Sequence, residues 1–301
     1  MARRIAFLNY KGGVGKTSLI VNIACCLVQQ GARVLLCDLD TQSNASIWLL
    51  RLERWNRIIS GEEGAGTTFR LFQPNPPPMS ALIVRDVVQD REGRPILPGL
   101  DLLPTGFNLV DLEADYMGQP GKPAYVHFRE ELARVESNYD FVLFDCPPNV
   151  LRASQCGVFS AHDIYVPSNP DALSLIGFTL LAEKLAAFND VAAGFRRHAQ
   201  GPAAQIQGII FNAIKGNTDV EVPKMRMQLR INQFKTTRRV GRTAKIFTSQ
   251  VRDATVVRRA VTLGLPVPLI SSENAADSEG IVGDYRAVAR ELHQHTLSLP
   301  T

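Results

Sequence analysis

Short apolar runs recur along the chain, each closed by a carboxylate, an amide or a glycine, and several are followed by a segment with helical spacing. Residues 4–9 (RIAFLN) read as a buried strand, and residues 17–30 as a helix that Gly31 stops. Residues 34–37 are continuously apolar, the pattern of a parallel strand covered on both faces. Residues 99–105, 139–145, 163–167 and 206–212 read as further strands, with a helix over 171–188 between the last two. Ile281, Tyr285, Val288, Ala289 and Leu292 recur on one face of a terminal helix. Alternating strands and helices predict right-handed crossovers. The expected fold is therefore α/β, a mainly parallel sheet with helices on both faces, built as one domain over residues 1–301.

The pattern is least regular at 46–98. Trp48, Trp55, Ile58 and Ile59 predict a short amphipathic helix, residues 61–66 a flexible turn, and residues 74–78 an extended surface run. Residues 81–84 and 86–88 predict a strand pair or an edge strand. This elaboration reads equally well as a surface packed by its two tryptophans.

Candidate chemistry gathers where strands end. Lys11-Gly12-Gly13-Val14-Gly15-Lys16-Thr17-Ser18 follows the first strand and opens the first helix, fitting the phosphate-loop pattern except that Tyr10 stands in place of the leading glycine. Glycines let successive N–H groups turn inward at phosphate oxygens, and the helix adds its positive end. Lys16 supplies a full charge to the terminal phosphates, and Thr17 offers a hydroxyl to Mg²⁺. Asp38 and Asp40 close the second strand, which places them beside the loop in an open parallel sheet. Asp145 closes an apolar run, as a metal-holding carboxylate does.

The form K-G-G-x-G-K-T resembles the deviant Walker A loop of the ParA/MinD family of P-loop ATPases. Asp38-Leu39-Asp40-Thr41-Gln42 is similar to the family's D-x-D-P-Q, with Thr41 where the family has proline, and residues 99–105 and Asp145-Cys146-Pro147-Pro148 are similar to its G-L-D-L-L-P-S and D-x-P-P. This resemblance implies a P-loop NTPase domain using ATP and Mg²⁺. By it, Lys11 reaches across a homodimer interface to the partner's nucleotide, Asp40 orients the attacking water, Asp38 supports the metal through water, and Thr17 and Asp145 hold it. Asn212 falls where the family reads adenine; a turn-forming asparagine is the other reading. The resemblance further implies an ATP-sandwich dimer that binds DNA nonspecifically, a ParB-like partner that stimulates slow hydrolysis, and work in partitioning plasmids, chromosomes or large assemblies.

Net charge is +4, but residues 213–262 hold twelve Lys or Arg against three acids, a net +9. Arg226, Arg230, Lys235, Arg238, Arg239, Arg242, Arg252, Arg258 and Arg259 are the candidate phosphate-backbone contacts. Val251-Arg252 resembles the family's V-R, whereas Asp253-Ala254-Thr255 departs from its L-S-E-A. No helix-turn-helix precedes the first strand, so sequence-specific operator binding is not expected. The five cysteines sit in apolar patterns and are expected to be reduced core residues. No run of eighteen apolar residues, secretory signal or basic amphipathic end is present, so the expectation is a cytoplasmic, nucleoid-associated protein off the membrane. Three other classes stay open: beside a membrane-surface positioner, which would want a basic amphipathic C-terminal helix that residues 293–299 lack, there are two more. One is an iron–sulfur relative using Cys146 and Cys156. The other is an ATP-dependent dimerisation switch, regulatory or defensive, that controls a protein partner without partitioning DNA.

Overall fold

The computed structural model describes residues 2–115, 122–196, 201–216, 218–270 and 275–299. Seven strands, β1 (Arg3–Phe7), β2 (Val34–Asp38), β3 (Leu100–Leu103), β4 (Phe141–Asp145), β5 (Asp163–Ser168), β6 (Gln205–Phe211) and β7 (Lys245–Ile246), form one parallel sheet in the order β3-β2-β4-β1-β5-β6-β7. The connections carry α1 (Lys16–Gln29), α2 (Asn44–Ser60), α3 (Met79–Leu82), α4 (Asp111–Asp115), α5 (Ala124–Ala133), α6 (Arg152–Ser160), α7 (Ala172–Ala192), α8 (Glu221–Thr236) and α9 (Val256–Leu263), and α10 (Ala275–Leu297) closes the chain.

The two-residue period of the strands sorts the core. Ile5 and Phe7 point into a layer with α1, α2, α9 and α10, while Ala6 and Leu8 point into the opposite layer with α5, α6, α7 and α8. Both faces of every central strand are thus covered, which is why those strands read as continuous apolar runs. α1 is buried almost all round, from Leu19 to Leu27, and each fully buried aliphatic side chain there contributes about 1.5–3 kcal/mol. α7, with its continuation to Phe195, is long and apolar enough to cross a membrane by length and composition. Here it is the β5–β6 crossover, with Phe178, Leu181 and Leu185 in the core.

The stretch 46–98 differs from its sequence reading in two ways. The helix around Trp48 and Trp55 is seventeen residues long and bends at Arg51, whose φ of 60° and ψ of 153° are a strained combination for an L residue. The Arg51 stem lies against Gly264, where a Cβ would come within 2.6 Å of it. Residues 79–82 are helical rather than extended, and only Val84 and Val87 pair with β3, antiparallel to it: Val84 and Leu102 exchange N–H···O bonds of 2.8 and 2.9 Å, and Val87 N donates to Leu100 O. Residues 81–84 and 86–88 do not pair with each other, Gln89 instead bridges Pro95, and the edge-strand expectation survives as this short cover.

Candidate nucleotide-binding active site

β1 lies between β4 and β5, so the chain direction across the sheet reverses at its carboxyl end, where α/β folds open a crevice. The loops after β1, β2 and β4 meet there because register sets Phe7 and Asp38 each beside Asp145. The loop before α1 turns through left-handed glycines, Gly13 at φ 74° and Gly15 at φ 73°. Space is a second constraint at Gly15, since a Cβ there would lie 2.4 Å from Asn212 Nδ2. Tyr10, the departure from the leading glycine, packs its ring on the α7-side core. Residues 11–18 line a cavity of about 400 Å³ together with Asp40, Gln42, Asn44, Trp48, Pro148 and Val261.

Lys16 is buried between two carboxylates, its Nζ 3.1 Å from Asp145 Oδ1 and 3.3 Å from Asp40 Oδ2. Burial opposes its charge, but Asp145 and Asp40 together hold it above the ordinary lysine range. Thr17 Oγ1 donates to Asp145 Oδ2 at 2.7 Å. Burial lifts the Asp145 carboxyl, against the pull of Lys16 and Thr17. Asp40 lines the cavity, whereas Asp145 and Asp38 lie beneath the wall without exposure.

Asp38 braces the Asp40 loop. Its Oδ1 accepts from Asp40 N at 3.1 Å, and its Oδ2 accepts from Ser46 N at 2.8 Å and Ser46 Oγ at 2.7 Å. Both oxygens are thereby occupied in tying the Asp40 loop to the first turn of α2. Burial and the neighbouring Asp145 push its carboxyl up to about 7, against the Ser46 hydrogen bonds.

Lys11 points elsewhere. Its Nζ pairs with Asp171, which also caps α7 by accepting from Ser174 N at 2.8 Å. Lys11 N donates to Asn9 Oδ1, and Asn9 Nδ2 donates to the carbonyl of Pro167. The two lysines of the loop, five residues apart, are therefore assigned to different carboxylates. Asn212 is buried at the loop as well, where its Nδ2 donates to the carbonyls of Val14 and Gly15, both at 2.9 Å. This spends both amide hydrogens on the loop backbone and leaves Oδ1 as the group for a ligand. Asn212→Ala removes two hydrogen bonds to that backbone, and ATP binding measured by calorimetry is expected to weaken by about 10-fold, near the value of one to two such bonds.

The candidate cations of 213–262 do not share one surface. Arg226, Arg230 and Lys235 lie on α8 in one layer, and Arg258 and Arg259 on α9 in the other. Arg238 and Arg242 are exposed between α8 and β7. Arg239 pairs with Glu183 at 3.3 Å, and Arg252 is held by Asp284 through two bonds of 2.7 and 3.0 Å. All five cysteines are free and buried. Burial raises the thiols of Cys146 and Cys156, and Cys146 Sγ fills the space where a Gly157 Cβ would stand. Neither thiol is presented to a surface that a second copy could share. Sequence reading passed over Ser46, Asp171, Trp48 and Val261. Of these only Asp171 carried a local signal, an Asp three residues ahead of Ser174 at a helix start.

A family model described as an AAA domain matches residues 2–194. Over 210 residues the chain is 30% identical to the chromosome partitioning protein ParA of Caulobacter vibrioides, covering 69% of this chain and 68% of that one. It is 32% identical over 218 residues to the chromosome-partitioning ATPase Soj of Thermus thermophilus, covering 72% and 71%. The chain belongs to the ParA/MinD family of P-loop ATPases. It is also 33% identical to the cell division protein PomZ of Myxococcus xanthus over 181 residues, 60% of this chain but only half of PomZ. Solved structures agree on the fold across the full length. Cyanothece McdA in complex with ATP superposes with a TM-score of 0.68 at 17% identity, covering 100% of this chain and 98% of that one, and MinD of Aquifex aeolicus with 0.63 at 21%, covering 99% of each.

Proposed function

We propose that this ParA/MinD-family chain is a Mg²⁺-dependent ATPase that dimerises with ATP between its subunits, binds DNA without sequence preference in that state, and leaves it on hydrolysis. The observation that carries the reading is the division of labour between the two lysines. Lys16 serves the carboxylates of its own site, while Lys11 is turned out to Asp171; in the reading proposed here it exchanges that pair for a nucleotide held by a second copy.

The residues present fit the cofactor by their chemistry. Thr17 and Asp145 place two hard oxygen donors side by side, as Mg²⁺ prefers, and would hold it. The glycine-rich turn leaves backbone open where phosphates would lie, with nothing within 4 Å of a Cβ at Gly12 or Gly13. Bound there, ATP with Mg²⁺ supplies the phosphoanhydride and a metal that neutralises developing charge. Lys16 holds the terminal phosphates by charge. Asp40, the carboxylate that lines the cavity, orients the attacking water and receives its hydrogen bonds. Asp38 acts one step back, keeping the Asp40 loop and α2 together. Asn212, with only Oδ1 to offer, accepts from the exocyclic amine of adenine.

Relatives named for chromosome partitioning and cell division support a role in positioning DNA or a large cargo. The proposal puts that role in the cytoplasm and on the nucleoid, with a ParB-like or other partner that stimulates hydrolysis. Arg258 and Arg259 are the cations best placed to couple DNA to nucleotide, because Val261 on the same short helix lines the cavity. The second reading, an ATP switch acting on a protein partner, is favoured by the pairing of Arg239 and Arg252 within the chain. Binding to random-sequence duplex DNA by wild type and Asp40→Ala, with no nucleotide, ADP or ATP and at two salt concentrations, decides between them. The partition reading expects binding that requires ATP, persists in Asp40→Ala and falls with salt. ATP-driven dimerisation with no effect on DNA would hand the lead to the switch.

A further inference from the structure

Helices that connect parallel strands run back and end at the amino edge of the sheet, away from the nucleotide cavity. There the ends of α5, α6 and the continuation of α7 bring arginines to the start of β1. Arg4 Nη1 and Arg129 Nη2 share the Glu136 carboxylate, at 3.0 and 2.9 Å, and Arg4 Nε donates at 2.6 Å to the carbonyl of Ser160, the last residue of α6. Arg196 lies 4.6 Å over the Phe159 ring, spends Nη1 on the carbonyl of Pro202, and adds its charge to the field at Arg4. Three guanidiniums thus meet one carboxylate. Asp163 does not redress the balance, because it is paired with Arg3 at 2.6 Å.

Donors outnumber acceptors as well. Arg129 Nη1, Arg196 Nε and Nη2 and the Ser160 hydroxyl are sealed from solvent, with no hydrogen-bond partner among the described residues. Arg129 is 6% exposed and Ser160 not at all. A guanidinium does not shed its proton, so these charges cannot be removed by titration as a buried lysine's can. Burial and Arg129 pull Arg4 down to about 10 against Glu136, which leaves it ionised. Burial, Arg4, Arg3 and Arg129 push the neighbouring His162 imidazole down to about 3, so it adds no charge at neutral pH, and its Nδ1 accepts from Arg4 N. Unmatched buried cations and donors are costly, and the group that matches both at once is an anion with several oxygens.

We infer that the amino edge of the sheet holds a small inorganic oxyanion, phosphate or sulfate, bound by Arg129, Arg196 and Ser160 and countering the charge of Arg4. Enclosure selects the size: the orphan donors reach no solvent, which leaves no passage for a sugar or base attached to the phosphate. The end of α6 points a partial negative charge here, but its last carbonyl already serves Arg4. A water molecule would satisfy donors without balancing charge. No residue of this cluster lines the nucleotide cavity, so the inference stands apart from the phosphate-loop reading.

The test uses the full chain exchanged into sodium gluconate and saturated with Mg²⁺ and ADP, which occupies the phosphate loop. Sodium phosphate and sodium sulfate are titrated at constant ionic strength while melting temperature and binding heat are followed. A saturable rise of about 5 °C is expected at about 100 times Kd, with one anion per chain. Arg129→Gln and, separately, Arg196→Gln remove charged hydrogen bonds and are expected to weaken anion binding by about tenfold or more. Arg196 is only partly buried, so its variant keeps the test open if Arg129→Gln fails to fold. No rise with either anion, an equal rise with sodium chloride, or unchanged affinity in the folded variants overturns the inference. So does a rise that survives these variants and is lost in Lys16→Ala, which would put the anion at the phosphate loop. Equal binding of phenyl phosphate would make the ligand a phosphorylated molecule and overturn the inorganic assignment.

Discussion

Lys16→Ala is expected to abolish nucleotide binding and also to destabilise the empty protein, with the larger loss at high pH. Removing a charge that pairs with buried, ionised groups costs about 2–5 kcal/mol, so affinity for ATP falls by about 30-fold or more. The empty site suffers separately. Asp145 is wholly buried and Asp40 nearly so, and Lys16 is the cation within 4 Å of each. Breaking such a pair costs about 3–5 kcal/mol when the survivors stay charged. Asp145, already raised by burial, escapes by taking up a proton, and without Lys16 it will titrate further above its unfolded value. A folded state that holds extra protons loses stability as pH rises from the unfolded carboxylate range toward the raised folded value. Thermal melts of wild type and variant at about pH 5.5 and about pH 8 therefore differ most at the higher pH. An equal deficit at both would mean that Lys16 does not neutralise this cluster.

Asp40→Ala is expected to do the opposite to the empty protein and to stop turnover. A water-orienting carboxylate is worth about 10²–10⁴ in rate, so steady-state hydrolysis falls by that range while ATP stays bound and the dimer persists. Two carboxylates, Asp40 and Asp145, converge on one lysine, and Asp38 adds its charge beside them. Taking one away relieves repulsion and leaves Lys16 paired with Asp145, so the melting temperature is unchanged or higher. Turnover at the wild-type rate would remove Asp40 from the mechanism, and a large fall in melting temperature would show that it braces the loop instead. The two variants are thus separated by stability as well as by activity.

What was legible in the sequence was whatever is contiguous. The phosphate loop is eight residues in a row with its strand and helix attached, and Asp145 announces itself by closing an apolar run. Pairings across the fold left no such mark. The Lys11–Asp171 pair joins residues 160 apart, and Ser46 meets Asp38 only because α2 turns back over the end of β2. Asn212 was placed at the site by resemblance, but its bonds to the loop carbonyls depend on β6 ending beside Gly15. The basic stretch is continuous in sequence alone: the chain passes through β7 from one layer to the other, so neighbours in sequence part in space. The bend at Arg51 hid the full length of α2, since nothing in composition foretells a strained residue held by Gly264.

The short cover that Val84 and Val87 lay along β3 gives the molecule a closed flank, and at the other border β7 is only two residues long. An open row of backbone donors and acceptors invites another chain to extend the sheet, and such joints are hard to undo. Here neither border offers one. An assembly that does not extend this sheet is held by side chains, whose grip answers to salt, charge and bound ligand. Release on hydrolysis, as proposed above, is the kind of step that a sheet unable to grow leaves easy.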